Sequence, residues 1–405
     1  MINIKNKHNC CGCESCIQVC PKNCINLNPD KEGFLYPTVE TSLCVKCGLC
    51  EKVCPVINIQ EINPPKEIWA AQNNDTAERR ESSSGGVTSM LARKIIEDGG
   101  VVFGVIINEK CEAVHTYAET QEELIAFRGS KYVQSRVGNS FKQVKEFLHV
   151  GRKVLFVGTP CQVSGLKLFL RKDYPNLYTI DFICHGVPSP GIFKWYLQEK
   201  LNKYAGNPIP SARSYNPQMG IQIPNGIKIK DIRFRDKKEG WKKYSFVLRF
   251  TRNYDNGKSE IVTISENVTK NAFLKGFCTD LYLRPSCHQC PTRGFRSGSD
   301  LTVADFWGQE VIFPDFDNDT GVSSVIIKNE KGLRLFHSIS NIKKERRTID
   351  EVLSYNPSLL YSKSESYKRR KFWKNIDKYS FERNVQISNT LNLIERVFVK
   401  LKGIL

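Results

Sequence analysis

Short unbroken apolar runs alternate along the chain with stretches in which apolar residues recur every three or four positions. Ile68–Gln72 and Val101–Ile107 are runs of the first kind and read as strands. Between them, Ser82-Ser83-Ser84-Gly85-Gly86 opens a helix predicted over Val87–Asp98, which Gly99-Gly100 closes. The rhythm then repeats twice. A strand at Lys153–Val157, a loop Gly158-Thr159-Pro160-Cys161 and a helix Gln162–Leu170 are followed by a strand Leu177–Ile183, a loop Cys184-His185-Gly186 and a helix from Pro190 to about Asn202. A strand–helix–strand crossover makes its two strands parallel. Cys161 and Cys184 are therefore expected just past the carboxyl ends of two strands in one sheet, the edge on which open α/β sheets build their sites. Residues 231–264 read as antiparallel instead: Ile232–Arg235, Tyr244–Phe250 and Ile261–Ile264, with a turn at Asp255-Asn256-Gly257. At the far end, Ile387, Leu391, Ile394, Phe398 and Leu401 share one face of an amphipathic helix, with Arg396, Lys400 and Lys402 on other faces.

The expected fold class is α+β and α/β multidomain: a ferredoxin-like head, an α/β core with some antiparallel strands, and a helical tail. The expected boundaries are 1–60, 66–150, 151–345 and 346–405. The polar stretch Asn58–Lys66, with Pro64-Pro65, reads as the linker after the head. At 405 residues, 40% hydrophobic and 25% charged, the composition is that of a globular chain and argues against wholesale disorder. No run approaches the roughly 18 apolar residues of a membrane span, and Met1–Cys10 lacks the apolar core of a signal peptide. The expected location is the cytoplasm. Sixteen cysteines in such a chain point to metal or redox chemistry and away from disulfides.

Cys10, Cys13, Cys16 and Cys20-Pro21 follow Cys-x2-Cys-x2-Cys-x3-Cys-Pro, and Cys44, Cys47, Cys50 and Cys54-Pro55 repeat it. This is the spacing of bacterial two-cluster ferredoxins, in which the fourth cysteine of each set crosses to the other 4Fe-4S cube. Cluster one is assigned to Cys10, Cys13, Cys16 and Cys54, and cluster two to Cys44, Cys47, Cys50 and Cys20. A zinc site takes four ligands in two pairs, which these sets exceed. Cys11 and Cys24 fall outside the pattern and read as packing residues. Further on, Cys287-His288-Gln289-Cys290-Pro291 is another half of a metal site. Joined to Cys161 and Cys184 it supplies four thiolates, which suit a third 4Fe-4S cluster; a zinc knot on the same four is the rival. Cys111 and Cys278 read as structural. His185 and His288 stand beside proposed ligands. Both are expected to orient the cysteine loops through backbone hydrogen bonds, with proton donation as the alternative.

Several segments together resemble the family of coenzyme F420 hydrogenase/dehydrogenase beta subunits. They are Ser83-Ser84-Gly85-Gly86, Arg128-Gly129-Ser130-Lys131-Tyr132-Val133-Gln134-Ser135, Gly158-Thr159-Pro160-Cys161-Gln162, Cys184-His185-Gly186, Arg284-Pro285-Ser286-Cys287 and the run Ser299–Gly308. The likeness spreads over about 80–340 with the order of motifs kept, and a ferredoxin head is a frequent extra in bacterial relatives. The resemblance implies an FAD-containing iron–sulfur oxidoreductase with its flavin near a 4Fe-4S cluster held by Cys161, Cys184, Cys287 and Cys290. By position, Ser83, Ser84, Gly85, Gly86, Lys131 and Tyr132 would line the flavin. Lys131 near the flavin ring or pyrophosphate would stabilise negative charge there. Archaeal members exchange hydride with the deazaflavin coenzyme, a plant relative reduces a chlorophyll derivative, and bacterial members often lie among surface-polysaccharide genes. No residue is singled out as catalytic.

Charge refines this picture. Lys and Arg number 60 against 42 Asp and Glu, a formal +18. Residues 1–60 carry six basic and five acidic side chains, and 346–405 carry thirteen and six. Two clusters at roughly −2 each would turn the +1 head to about −3. That favours a head that swings on its linker to dock on its own basic body, or a body that receives an acidic carrier. The basic tail is expected to pack on the body; peripheral contact with an anionic membrane is the alternative. Nucleic acid is not expected as a partner, because no binding fold accompanies the charge. The expected function is electron transfer between ferredoxin-type clusters and FAD, with hydride exchange with an unidentified organic substrate and a redox partner protein or ferredoxin. A non-catalytic electron-transfer subunit and a zinc-containing nucleic-acid-binding protein are the rivals.

Overall fold

A computed structural model describes residues 1–207, 215–254 and 257–390. The apolar stripe from Leu391 onward, with its three basic residues, and Asp255-Asn256 of the expected turn lie outside the described residues.

The head is built from two one-turn helices, α1 (Ser15–Gln18) and α2 (Leu49–Lys52), around a hairpin of β1 (Ile25–Pro29) and β2 (Leu35–Val39). Pairing runs from Ile25 opposite Val39 to Pro29 opposite Leu35. Next come β3 (Glu67–Asn73), α3 (Thr76–Glu81), α4 (Val87–Glu97), β4 (Val101–Ile107), β5 (Ala113–Ala118) and α5 (Ser140–His149). The two crossovers expected from the sequence follow: β6 (Val154–Val157), α6 (Pro160–Leu170), β7 (Leu177–Asp181) and α7 (Pro190–Ala205). A separate three-stranded antiparallel sheet holds β8 (Ile227–Asp236), β9 (Ser245–Asn253) and β10 (Ser259–Asn267), in the order β10-β9-β8. The rest of the body is α8 (Ala272–Cys278), β11 (Leu301–Asp305), α9 (Gln309–Ile312), β12 (Ser323–Ile327), α10 (Glu330–His337), β13 (Ile342–Arg346) and α11 (Ile349–Tyr355). The tail supplies α12 (Tyr367–Lys374) and α13 (Phe381–Asn389).

One eight-stranded sheet, β13-β3-β12-β11-β7-β6-β4-β5, carries the body. Its centre is parallel, β4 to β6, β6 to β7 and β7 to β11, and antiparallel strands complete both edges. Residues on both sides of position 150 contribute strands to it. The centre is apolar on both faces: Val154, Leu155 and Phe156 are wholly buried, as expected for strands covered by helices. α6 begins two residues earlier than the apolar pattern suggests. Thr159 caps it, accepting from the Gln162 amide while the Gln162 side chain accepts from the Thr159 amide, and Pro160 fills the first position. Cys161 therefore stands in the first turn of a helix and not in a loop.

The tail packs on the body. Phe372, Phe381 and Val385 are buried in the core that also holds Trp195, Tyr196, Phe273 and Tyr282. Both carboxylate oxygens of Glu199 accept from the Phe381 amide, at 2.9 and 3.0 Å, and seat the start of α13. Burial raises the Glu199 carboxyl to about 7. An acid whose folded pKa is raised weakens the fold as pH climbs from its unfolded value near 4.5 to that raised value, because only the unfolded chain ionises freely. Glu199→Gln should therefore remove about 2 kcal/mol of destabilisation that the parent acquires between pH 5.5 and 8. Denaturant melts at the two pH values measure this; parallel pH slopes for the two proteins would refute it.

Candidate functional site

Cys161 and Cys184 do lie beyond the carboxyl ends of β6 and β7, and the turn around Cys287 and Cys290 comes to meet them. The four line one cavity of about 640 Å³, measured to its open mouth, with Asp181, Arg293 and Lys328 also on its wall. Among the described residues, no three His, Cys, Asp or Glu side chains converge at the spacing of a single ion. Burial pushes the Cys184 thiol well up and the Cys287 thiol to about 12. Such sulfurs become thiolates only if positive charge is supplied where they point, which a cluster's irons do.

The head brings its eight patterned cysteines into two crossed sets. Cys16, half-buried, lies near Cys13, Cys10 and Cys54. Cys20, Cys44, Cys47 and Cys50 line a second, smaller cavity. Each fourth cysteine has crossed to the other set's side. Cys24, also on that second cavity, lies 3.4 Å from Cys20, sulfur to sulfur. Cys11 has a more specific place than a packing residue. Its buried thiol contacts both Cys13 and Cys161, and it forms part of the wall of the body cavity. The Cys161 thiol is lowered chiefly by its hydrogen bond with Cys11, then by Thr159, whose hydroxyl lies 3.2 Å away. Cys111 is buried in the body core and Cys278 is exposed.

The two histidines part company. His288 Nδ1 lies 2.8 Å from the Lys363 carbonyl, the backbone contact expected. His185 instead pairs with a carboxylate, Nε2 to Asp280 Oδ1 at 2.6 Å, because Asp280 at the end of α8 reaches the Cys184 loop before any carbonyl does.

The segments implied for the flavin meet in part. Ser83 accepts from the Ser130 amide at 2.6 Å and lies 2.8 Å from the Ser130 hydroxyl, joining two motifs 47 residues apart. Ser84 donates to the Val322 carbonyl at 2.7 Å, and the Gly85 amide donates to Ser323 Oγ at 3.1 Å, so both hold the turn to β12. Gly86 adopts φ +82° as it caps α4, a conformation that favours glycine. Lys131 turns its ammonium onto the carbonyls of Ala126, Phe127 and Arg128 at 2.9–3.0 Å, and burial lowers it to about 7. Tyr132 faces an aromatic wall of Phe234, Tyr244 and Phe277. Beside it lies Arg235, which sequence reading passed over because it sits in an alternating, charge-rich strand. Its side chain is buried, stands over Tyr244 and Trp307 at 4.6 and 5.5 Å, and binds Asp305 through Nη1. Among the described residues its Nε and Nη2 close no hydrogen bond of good geometry, though the Tyr132 hydroxyl lies near enough to interact with the guanidinium. Trp241 stacks on Trp307 at 4.7 Å and donates to Asp305.

Residues 68–142 and 151–351 match the N-terminal and C-terminal parts of the coenzyme F420 hydrogenase/dehydrogenase beta subunit. The chain belongs to that family. Residues 9–58 match the 4Fe-4S dicluster domain, so the head is an iron–sulfur module. Among curated proteins of the family, the coenzyme F420-dependent sulfite reductase of Methanocaldococcus jannaschii is 23% identical, over 85% of this chain and 47% of its own. A subunit of the F(420)H(2) dehydrogenase of Methanosarcina mazei is 24% identical, over 39% of this chain and 48% of its own. The chain thus spans about half the length of these relatives. A chain of the F420-reducing [NiFe] hydrogenase complex from Methanosarcina barkeri is similar at 17% identity and a TM-score of 0.40, covering 83% of this chain and 97% of that one.

The head is seated on the body with little clearance, the docked arrangement expected from the charge. Glu14 accepts from Arg136 Nε and the Gly138 amide at 2.9 Å each, and Gln18 accepts from the Phe141 amide at 2.9 Å. The linker is tied down as well: the Asn63 amide donates to Phe295 and the Lys66 amide to Ile327. At Gly165, an added Cβ would stand 2.5 Å from Ser15 Oγ and 3.1 Å from Cys13 Sγ. Gly165→Val should therefore unseat the head while leaving the sheet intact. Protease cleavage within 58–66 should speed up at least tenfold in the variant; an unchanged cleavage rate would refute a seam this tight.

Proposed function

We propose that the protein is an iron–sulfur flavoenzyme that relays single electrons between two head clusters and a third cluster in the body, and exchanges electron pairs with an organic substrate at FAD. The observation that carries this reading is the body cavity lined by Cys161, Cys184, Cys287 and Cys290, with Cys11 of the head on its wall and in contact with Cys13. A carrier that moves one electron at a time must have its stations close together, and Cys11 is the residue that touches both sides. Cluster one would be held by Cys10, Cys13, Cys16 and Cys54, and cluster two by Cys20, Cys44, Cys47 and Cys50. The outer cavity opens beside Cys47, Leu43 and Val45, all exposed, which supports a redox partner protein or ferredoxin meeting the head there.

FAD, when bound, supplies the junction between one-electron and two-electron chemistry. The residues present fit it. Ser83, Ser84, Gly85 and Gly86 with Ser130 would form one wall of its site, and Tyr132 the aromatic face. Among the described residues Arg235 leaves two buried nitrogens without a well-formed hydrogen bond, beside the Tyr132 hydroxyl, and an anionic part of the ring or its phosphates would satisfy them. Lys131 would reach that anion only by leaving its three carbonyls; where it stays, it fastens the Arg128–Tyr132 turn. A substrate of the deazaflavin class, or one linked to surface-polysaccharide synthesis, would exchange its electron pair with the flavin.

A second reading, a subunit that hands electrons to chemistry on another chain, is favoured by the relatives, which are roughly twice as long or named as subunits. Turnover of deazaflavin by the isolated chain separates the two. For the cofactors, protein purified anaerobically with added FAD should hold about twelve irons and one flavin per chain. Cys184→Ala should remove about four irons and leave the flavin. Eight irons and one zinc in the parent would overturn the third cluster, and no flavin would overturn the enzyme reading.

A further inference from the structure

Arg284 opens the turn that carries Cys287 and Cys290, yet its side chain leaves the body. It is completely buried, at 0% exposure, in the seam with the head. Nε donates to the Cys10 carbonyl at 2.6 Å, Nη2 donates to the Leu35 carbonyl at 2.9 Å, and Nη1 donates to Gln134 Oε1 at 2.8 Å. Nη2 also lies 3.4 Å from Cys10 Sγ. The guanidinium lies against head aromatics, 4.3 Å from the centre of the Tyr36 ring and 5.3 Å from that of Phe34. No carboxylate is bonded to it among the described residues. A buried cation without an anion is costly, so some negative charge must lie next to it. The Cys10 sulfur is the group its Nη2 reaches, and Cys11, Cys287 and the Tyr36 hydroxyl lie close enough to act on its charge as well.

Among the described residues the second cysteine set has no buried side-chain cation; the Ile2 amide donates to Cys50 Sγ at 3.3 Å. The cations beside its cavity, Lys22, Lys46 and the Met1 ammonium that pairs with Glu51, all reach water. Solvent and salt screen them, whereas a buried guanidinium acts through a low dielectric. Two sets with the same sequence spacing are thus placed in unlike fields.

We propose that Arg284 sets the order of reduction in the head: its hydrogen bond and charge at Cys10 raise the reduction potential of cluster one above that of cluster two. An electron given up by cluster two at the exposed side is then gained by cluster one at the body side, one for one, and its return is disfavoured. Arg284 is a positioning residue in this scheme and touches no substrate. The inference rests on the two-cluster reading of the head alone, so loss of the flavin or of the third cluster would leave it standing. Missing head iron in the parent would instead sink that reading.

The test is a redox titration of the full chain followed by electron paramagnetic resonance, on the parent and on Arg284→Gln and Arg284→Lys. One of the two head signals should move to more negative potential in the Gln variant, with the other unmoved and the iron content unchanged. The Lys variant, which keeps the charge and loses the forked bonds, should recover part of the shift. Unmoved potentials in an iron-replete Gln variant would overturn the proposal and leave Arg284 a staple of the seam. If the Gln variant fails to hold iron, the parent decides by itself. With arginine labelled by nitrogen-15, pulsed resonance should detect coupling to one reduced head cluster; no such coupling would overturn the proposal.

Discussion

Relaying single electrons through a protein imposes one constraint ahead of all others: the stations must stay close and in fixed register. In this chain the constraint is met by burying polar side chains where head, body and tail meet. Arg284 spends its fork on head carbonyls. Arg369 of α12 reaches across to both Glu32 oxygens and to the Leu283 carbonyl, so the tail clamps the head next to the turn that carries Cys287. Ser189, the cap of α7, donates to the Glu32 carbonyl. An apolar seam of equal area could be as stable, since desolvating ions offsets much of their attraction. It would also tolerate sliding. Directional bonds to named carbonyls allow one seating, which holds Cys11 against Cys161.

The parallel centre of the sheet was legible because β4, β6 and β7 are short, largely apolar runs between helix signals. From that alone Cys161 and Cys184 fall on one edge. The outer strands were not. β13, Ile-Lys-Lys-Glu-Arg, carries the charges that keep an edge strand from pairing further, and those charges hide it from a search for alternation. The early start of α6 was written in Thr159-Pro160-Cys161-Gln162, whose ends form a capping box, but an apolar count begins too late to see it. Arg284 and Arg235 carry no local sign of burial at all. An arginine in a loop or on an alternating strand reads as solvated, and only the docking of distant segments removes its water.

Charge was legible in sign but not in place. The excess of lysine and arginine pointed to a docked head and a packed tail, and the structure shows where part of it goes: Arg369 of the tail into a buried ion pair with Glu32, and Lys371 onto the Thr390 carbonyl. Part of the basic excess is structural. What it leaves outside is uneven: Cys47 and its neighbours Leu43, Val45 and Lys46 are all exposed, while Cys13 is buried against Gly165 of α6. A tandem repeat would by itself give two interchangeable centres and no preferred direction between them. Docking the repeat by one face breaks that symmetry. The set packed on the body gains buried donors and loses water, the other keeps its access to solvent and to partners, and the difference arises from the seam, since both sets share one spacing.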